Sequence, residues 1–326
     1  MWHAADFLYL DFVLHDLKIG SIYDGFLFLA ETSPDAPWLQ SHHHVELELN
    51  LVIRGSITYV MGNQRYTFPA GTLLWFFPEQ EHQLVDRSST AQHYVAVFKP
   101  AFIRRVCRTP AYAMLNATRT ESEGIQHAML SRQYFHSVRN AMDCIMEGSL
   151  DRDVLNREAG FGVDSDFCYQ HADPDGLNAG LHFLLTLCWR LQNSHPSGES
   201  AIELHPSVQR AIRLLSEGEW TASLSALATR CKISDAHLSR LFHQQIGVSL
   251  THYRSSLRMA RFWEELKRSP DANLTEAAYA AGFGSYSQFY SLFVEAYGKG
   301  PREMLSSHPS MAASGVQPVF ARSRKR

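Results

Sequence analysis

The stretch Leu224–Gly247, LSALATRCKISDAHLSRLFHQQIG, decides how the C-terminal half folds. Ser223 stands where it can cap a short helix running to Arg230, because a serine hydroxyl accepts an N–H that the first turn of a helix leaves unpaired. A brief turn follows at Cys231–Ile233, and Ser234 caps a second helix, Asp235–Gln245. Leu224, Leu227, Ala228, Leu238, Leu241 and Phe242 recur at helical spacing and pack the two helices on each other. Asp235, Ala236, His237, Ser239, Arg240, His243 and Gln244 then face solvent. A short helix, a tight turn and a second helix with a polar outer face is the plan of a helix-turn-helix.

The plan recurs in NLTEAAYAAGFGSYSQFYSLFVEAYG, Asn273–Gly298. Asn273 caps, and Glu276 follows at capping-box spacing. Gly282 suits a left-handed turn, and Ser285 opens the second helix. Phe289 and Phe293 point inward, leaving Tyr286, Ser287, Gln288, Tyr290 and Ser291 outside. The two second helices lie about 50 residues apart, which makes an internal repeat. Between them Leu250–Lys267 reads as one helix of roughly 27 Å. Successive major grooves on one face of DNA lie about 34 Å apart, so such a helix suits two readers in adjacent grooves. A helical bundle that binds protein is the plainer alternative.

The chain around these repeats has 326 residues, enough for two domains, with 45% hydrophobic and 19% charged residues. It contains no apolar run near the ~20 residues of a membrane span, and Asp6, Asp11 and Asp16 break the N-terminus as a signal peptide. Five scattered cysteines without a CxxC read as free thiols in a reducing cytoplasm. The net charge of −3 is split unevenly: residues 201–326 hold 16 Lys/Arg against 10 Asp/Glu, leaving 14 against 23 in residues 1–200. The half that favours a polyanion is the half that carries the repeat.

Residues 1–100 are strand-like, with short β-rich runs between turn residues that suggest a sandwich or barrel. One run, Ser41–Gly55, reads SHHHVELELNLVIRG. On a strand His42, His44, Glu46 and Glu48 share one face, and Val45, Leu47, Leu49, Leu51 and Ile53 share the other, which a helix, a sheet or a partner must cover. Gly55 marks a turn into a returning strand, Ser56–Val60. Residues 101–192 turn helical, with stripes at Phe135, Val138, Met142 and Ile145, and at Leu181, Leu184, Leu185, Cys188 and Leu191. The second stripe is either a dimer surface or packing within its own domain. Residues 157–176 between the stripes read as a loop. Residues 193–204 read as a polar linker, 205–306 as the helical DNA-binding unit, and 307–326 as a disordered basic tail ending in RSRKR.

Residues 205–306 resemble the DNA-binding domain of the AraC/XylS family of bacterial transcription regulators. The resemblance is carried by LSALA, SDAHLSRLFHQQIG and AAYAAGFGSYSQFYSLFVEAYGKGPREM. It implies that Ala236, Ser239 and Arg240 face base edges, flanked by Ser234, Asp235, His237 and His243, with Arg240 able to pair bidentately with guanine. In the second unit it implies Ser285, Tyr286, Ser287, Gln288 and Ser291. Three positions depart from the pattern: Lys232 where glycine is frequent, Ala277 where a larger aliphatic residue is usual, and Ser291 where arginine is common.

His42, His44, Glu48 and Gly55 resemble the first motif of the cupin barrel, and PAGTLLWFFPEQEHQL resembles the second, with His82 at the last ligand position. The Pro78-to-His82 spacing is one residue shorter than the metal-binding pattern. The family often carries such a barrel as an effector domain. His42, His44, Glu48 and His82 therefore hydrogen-bond a small effector or hold a divalent metal, or else stand solvated at a barrel mouth. Trp38, Tyr59, Trp75 and Phe77 are further lining candidates.

The expectation is an α+β two-domain chain, with a cupin-like β-barrel and helical dimerisation segment ahead of an all-α double helix-turn-helix. It implies a cytoplasmic, non-enzymatic, effector-responsive activator. Its partners are promoter DNA, a small molecule, RNA polymerase and a second copy of the chain, with no membrane and no assured cofactor beyond the candidate metal. The rival readings are a metal-dependent cupin enzyme with an added helical domain, and a co-regulator without direct DNA contact.

Overall fold

Ten stretches of the chain are described by the computed structural model: residues 13–14, 17, 19–31, 41–118, 124–147, 171–194, 201–219, 222–268, 273–297 and 300–307. Within them β1 (Val13–Leu14) pairs in parallel with β3 (His42–His43). The barrel is built from β2 (Gly25–Glu31), β4 (Leu47–Arg54), β5 (Ser56–Met61), β6 (Gln64–Pro69), β7 (Thr72–Phe76), β8 (Gln83–Arg87) and β9 (Gln92–Phe98). Two strands join from outside the first hundred residues, β10 (Gln126–Met129) and β11 (Ala201–Glu203). The strands form a five-stranded sheet, β10-β7-β4-β9-β2, and a four-stranded sheet, β11-β6-β5-β8.

Gly55 takes the chain from one sheet to the other. Its φ is +67°, and a Cβ there would lie 2.2 Å from Ser88 Oγ. The run after it, Ser56–Met61, is a strand as expected, but it pairs with β6 and β8 and not with β4. The expected faces of the opening run also shift. His42–His43 and Leu47–Arg54 are separate strands, and Val45 between them is 51% exposed.

Leu47, Leu49 and Leu51 are fully buried on the outer face of the five-stranded sheet. Two helices cover them, α2 (Arg132–Met146) and α3 (Pro174–Ser194), which follow a first short helix, α1 (Pro100–Val106). Val138 and Met142 of α2 and Leu181, Leu184, Leu185, Cys188 and Leu191 of α3 belong to the same core. Each fully buried leucine contributes about 1.5–3 kcal/mol relative to exposure. The α3 stripe therefore stabilises its own domain and is not a surface for a second chain; Phe183, on the outer side of that helix, is 55% exposed.

Sequence periodicity placed Ala128 and Met129 in the helix of α2, but they form β10 on the edge of β7. Residues 201–203, assigned to the linker, form β11 and satisfy the open edge of β6, with Ala201 opposite Tyr66. The N-terminal twelve residues, Trp38, most of the loop at 157–176, and residues 308–326 lie outside the described residues. The described cysteines, Cys107, Cys144, Cys188 and Cys231, are free thiols. Among the described residues no helix is long and apolar enough to cross a membrane.

The C-terminal part comprises α4 (Pro206–Ser216), α5 (Leu224–Arg230), α6 (Asp235–Ile246), α7 (Leu250–Arg268), α8 (Leu274–Ala280), α9 (Tyr286–Tyr297) and α10 (Pro301–Ser307). It has two cores. One joins α4, α5, α6 and the start of α7; the other joins the end of α7 with α8 and α9.

Candidate effector pocket and nucleic-acid interface

Side chains on β2, β4, β5, β8 and β9 that point away from the helices enclose a cavity of about 50 Å³. Its wall includes Phe26, Phe28, His42, His44, Glu48, Tyr59, His82, Leu84, Arg87, His93, Val95 and Val97. The structure thus brings together all four residues that the sequence singled out for this site. One ring nitrogen from each of His42, His44 and His82 lies within 4.8 Å of the other two, a set that Glu48 does not join. Of the aromatic lining candidates, Tyr59 reaches the cavity, whereas Trp75 and Phe77 belong to the core under the helices.

Glu48 is anchored on both oxygens. His44 Nε2 lies 3.1 Å from Oε2, and Asn50 Nδ2 donates to Oε1 at 2.6 Å. Burial works against ionising this carboxyl, but the hydrogen bond with His44, the nearby imidazoles of His82 and His44, and the hydrogen bond from Asn50 together outweigh it and hold it at about 2. Burial likewise opposes charge on His44, yet Glu48 raises its pKa, so the two form a buried ion pair. His82 goes the other way: burial, reinforced by His42, pushes it down to about 3. The Nδ1 atoms of His44 and His82 lie 3.0 and 2.9 Å from the carbonyls of Glu46 and Gln80. That partner makes His82 Nδ1 the protonated nitrogen and leaves its Nε2 as a lone pair.

Sequence reading missed Arg87 and His93. Neither belongs to a short motif, and both reach the cavity only through strand register. A bulge between Thr58 and Tyr59 sets which residues of β8 point inward, and no local pattern announces it.

The helix-turn-helix positions fall where spacing put them. Ser223 Oγ accepts from Ala226 N at 3.0 Å and Ser234 Oγ from His237 N at 3.3 Å. Leu238, Phe242 and Ile246 are fully buried. On the outer side of α6, Ala236, His237, Arg240 and His243 are exposed, and Asp235 and Ser239 are half-buried. In the second unit Asn273 Oδ1 accepts from Thr275 N at 3.0 Å, and Ser285 Oγ from Gln288 N at 3.2 Å. Ser287, Gln288 and Ser291 are exposed, whereas Tyr286 is half-buried against Phe289, with ring centroids 5.6 Å apart. At these positions the first helix therefore offers a cation and two imidazoles, and the second offers neutral polar groups.

The barrel and the first unit share a wall. Strands β5 and β8 present Tyr59, Leu84 and Arg87 to the cavity. From the same two strands Val60 and Val85 enter the core of the first unit. Gln83 Oε1 accepts the hydroxyl hydrogen bond of Tyr253 at 2.9 Å, and a Cβ on Gly247 would lie 2.7 Å from Asp86 Oδ2. These contacts use the C-terminal end of α6 and the start of α7, and they leave the outward side chains of α6 free.

Two family models match the chain. One, described as an AraC-like ligand binding domain, matches residues 32–142. The other, described as a helix-turn-helix domain, matches residues 227–307. Among solved structures, ToxT from Vibrio cholerae is similar at 12% identity, over 87% of this chain and 98% of that one, with a TM-score of 0.31. The C-terminal domain of AraT, a response regulator from Geobacillus stearothermophilus, is similar at 25% identity over 32% of this chain and 88% of that one, with a TM-score of 0.30. The AraC-like transcriptional activator CuxR is similar at 11% identity over 72% of this chain and 76% of that one, with a TM-score of 0.30. A search of curated proteins gives no match.

Proposed function

The chain belongs to the AraC family of transcription regulators, with a ligand-binding domain ahead of a DNA-binding helix-turn-helix domain, and from that premise we propose that an effector in the barrel cavity acts on DNA through the wall of β5 and β8. The observation that carries this reading is that the two strands of that wall serve both sides at once, with a bulge setting which side chains of β8 turn inward. Leu84 and Arg87 face the cavity while Gln83 and Val85 meet the first helix-turn-helix unit. A ligand that moves the inner side chains must move the outer ones, because a packed wall has few voids to absorb the shift.

The same reading makes the protein a cytoplasmic homodimer that activates transcription with RNA polymerase and catalyses no reaction. The outer face of α3, where Phe183 stands exposed, is the supporting feature for self-association. In the first unit Arg240 with His237 and His243 supports base reading. The second unit, with Tyr286, Ser287, Gln288 and Ser291, is proposed as the weaker reader.

A second reading of the pocket places a divalent metal on His42, His44 and His82. The donor set fits: three imidazoles converge, and two of them are oriented by backbone carbonyls, as metal-binding histidines usually are. His44 would have to release Glu48 to join such a set. A metal there would supply a Lewis-acid anchor for the effector.

The wall is tested by a double-mutant cycle in the full chain, with Leu84→Ala inside and Tyr253→Phe outside. Affinity is measured for a duplex selected from a random library by the parent protein. The two changes should be non-additive by about 0.5 kcal/mol or more. Strict additivity would separate the pocket from DNA binding and sink the proposed route.

A further inference from the structure

The cavity holds two polar groups that the protein itself does not use. Arg87, at the end of β8, lines it yet makes no hydrogen bond and no ion pair among the described residues. The carboxylate in the wall, Glu48, is already held by His44 and Asn50. His93, on β9, is 3% exposed, and its Nδ1 is buried without a partner. The rest of this part of the wall is apolar: Phe26, Phe28, Leu84, Val95 and Val97.

Arg87 is half-buried, and partial desolvation of its guanidinium is offset only by the nearby Tyr59, with no carboxylate paired to it among the described residues. Burial lowers its pKa to about 10, so it is still a cation at neutral pH. It keeps five N–H donors in a fork that matches two carboxylate oxygens. The neighbouring imidazole offers one further nitrogen.

We infer that the cavity takes a small organic carboxylate, with Arg87 donating to both carboxylate oxygens, His93 at its side, and a short apolar body against Phe26, Phe28, Val95 and Val97. The volume of about 50 Å³ sets the size of the enclosed part. A cavity of about 150 Å³ holds the six carbons of benzene, so by proportion this one encloses roughly two heavy atoms, the carboxylate end of the acid. The inference rests on the barrel being the effector site, and it assigns the chemical class of that effector.

The experiment uses the full chain with a chelator present, so that no metal mediates binding. The probes are acetate, propionate, butyrate and benzoate, each paired with its primary amide, and sulfate as an inorganic anion. Thermal shift reports binding. At least one acid should raise Tm, while its amide and sulfate should not. Arg87→Met should weaken that acid about 10- to 100-fold, the worth of a lost charged hydrogen-bond pair. Arg87→Lys should retain part of it. Without ligand, Arg87→Met should raise Tm, because it removes an uncompensated charge; a structural Arg87 would give a fall. The class is overturned if no acid of the panel raises Tm, if amide or sulfate does as well as acid, or if Arg87→Met binds like the parent. DNA binding by the same preparations, read by mobility shift, keeps the two readings apart. Its loss in the parent chain would count against the regulator, whereas its retention with unresponsive acids would count only against the carboxylate.

Discussion

The first helix-turn-helix unit completes its core with Val60 and Val85 of the barrel, whereas the second closes on Phe262, Trp263, Phe283, Phe289 and Phe293 from its own helices. The first has Arg240 on its reading helix and the second has Ser291 near the same face. The two units follow one backbone plan with different attachments. The unit that touches the ligand-binding domain is also the one we propose as the main base reader. The other has a dense aromatic core and uncharged side chains at Tyr286, Ser287, Gln288 and Ser291, which suits the proposed role of a rigid holder of the DNA backbone.

The largest effect that can break this comparison comes from the cores. Phe242 and Phe289 are both fully buried, and Phe289 meets Phe262 at a centroid distance of 4.4 Å and Phe283 at 5.2 Å. Replacing either by alanine should cost about 3–5 kcal/mol. Phe289→Ala should melt the second unit alone, so urea unfolding followed by limited proteolysis should show an early transition that spares the barrel. Phe242→Ala should disturb the barrel wall as well. One common transition, shifted equally by both changes, would mean that the second core is not separate.

Reading comes next in size. Arg240→Ala should weaken binding to a selected site by about 1–3 kcal/mol and relax preference at one base pair. Ser291→Ala should change the same affinity by less than about 0.5 kcal/mol. Ser291→Arg sharpens the contrast. A new phosphate contact should steepen the slope of log affinity against log salt by about 0.9. If Ser291→Ala costs as much as Arg240→Ala, the division of labour between the units is wrong.

Much of this was legible in the sequence, for reasons that differ by region. The helix-turn-helix units are local: caps at Ser223, Ser234, Asn273 and Ser285, a turn and an apolar stripe all lie within about 25 residues. The histidine set was half legible, since His42, His44 and Glu48 share one run, and His82 belongs to a recognisable second motif. Arg87 and His93 were not, because nothing within a strand says which parity faces a cavity once a bulge intervenes. The α3 stripe was ambiguous for a similar reason. Helical periodicity shows that a face must be buried, but Leu47, Leu49 and Leu51, which bury it, come from far away in the chain. Strand β11 was read as linker because three residues pairing with an open edge carry no pattern of their own.

The smallest predicted effect on stability lies in the turns, where the two units are most nearly superimposable in their hydrogen bonds. In the first, Lys232 N donates to Thr229 O at 3.0 Å and Ile233 N to Ala228 O at 3.1 Å. In the second, Gly282 N donates to Tyr279 O at 2.9 Å and Phe283 N to Ala278 O at 3.1 Å. Both turns need a left-handed residue, with φ of +60° at Lys232 and +88° at Gly282. A side chain in that region costs on the order of 1–2 kcal/mol, and glycine returns about 0.5–1 kcal/mol of that through the greater freedom of the unfolded chain. Lys232→Gly should therefore stabilise the protein by up to about 1 kcal/mol, visible as a higher urea midpoint with an unchanged slope. The exposed lysine beside the reading helix then has a reason to be kept despite its backbone strain. The same substitution should weaken binding to nonspecific duplex and flatten its salt dependence by about one phosphate contact. A variant that gains stability and keeps the parental salt slope would show that Lys232 is strained without serving DNA, and the first turn would differ from the second in strain alone.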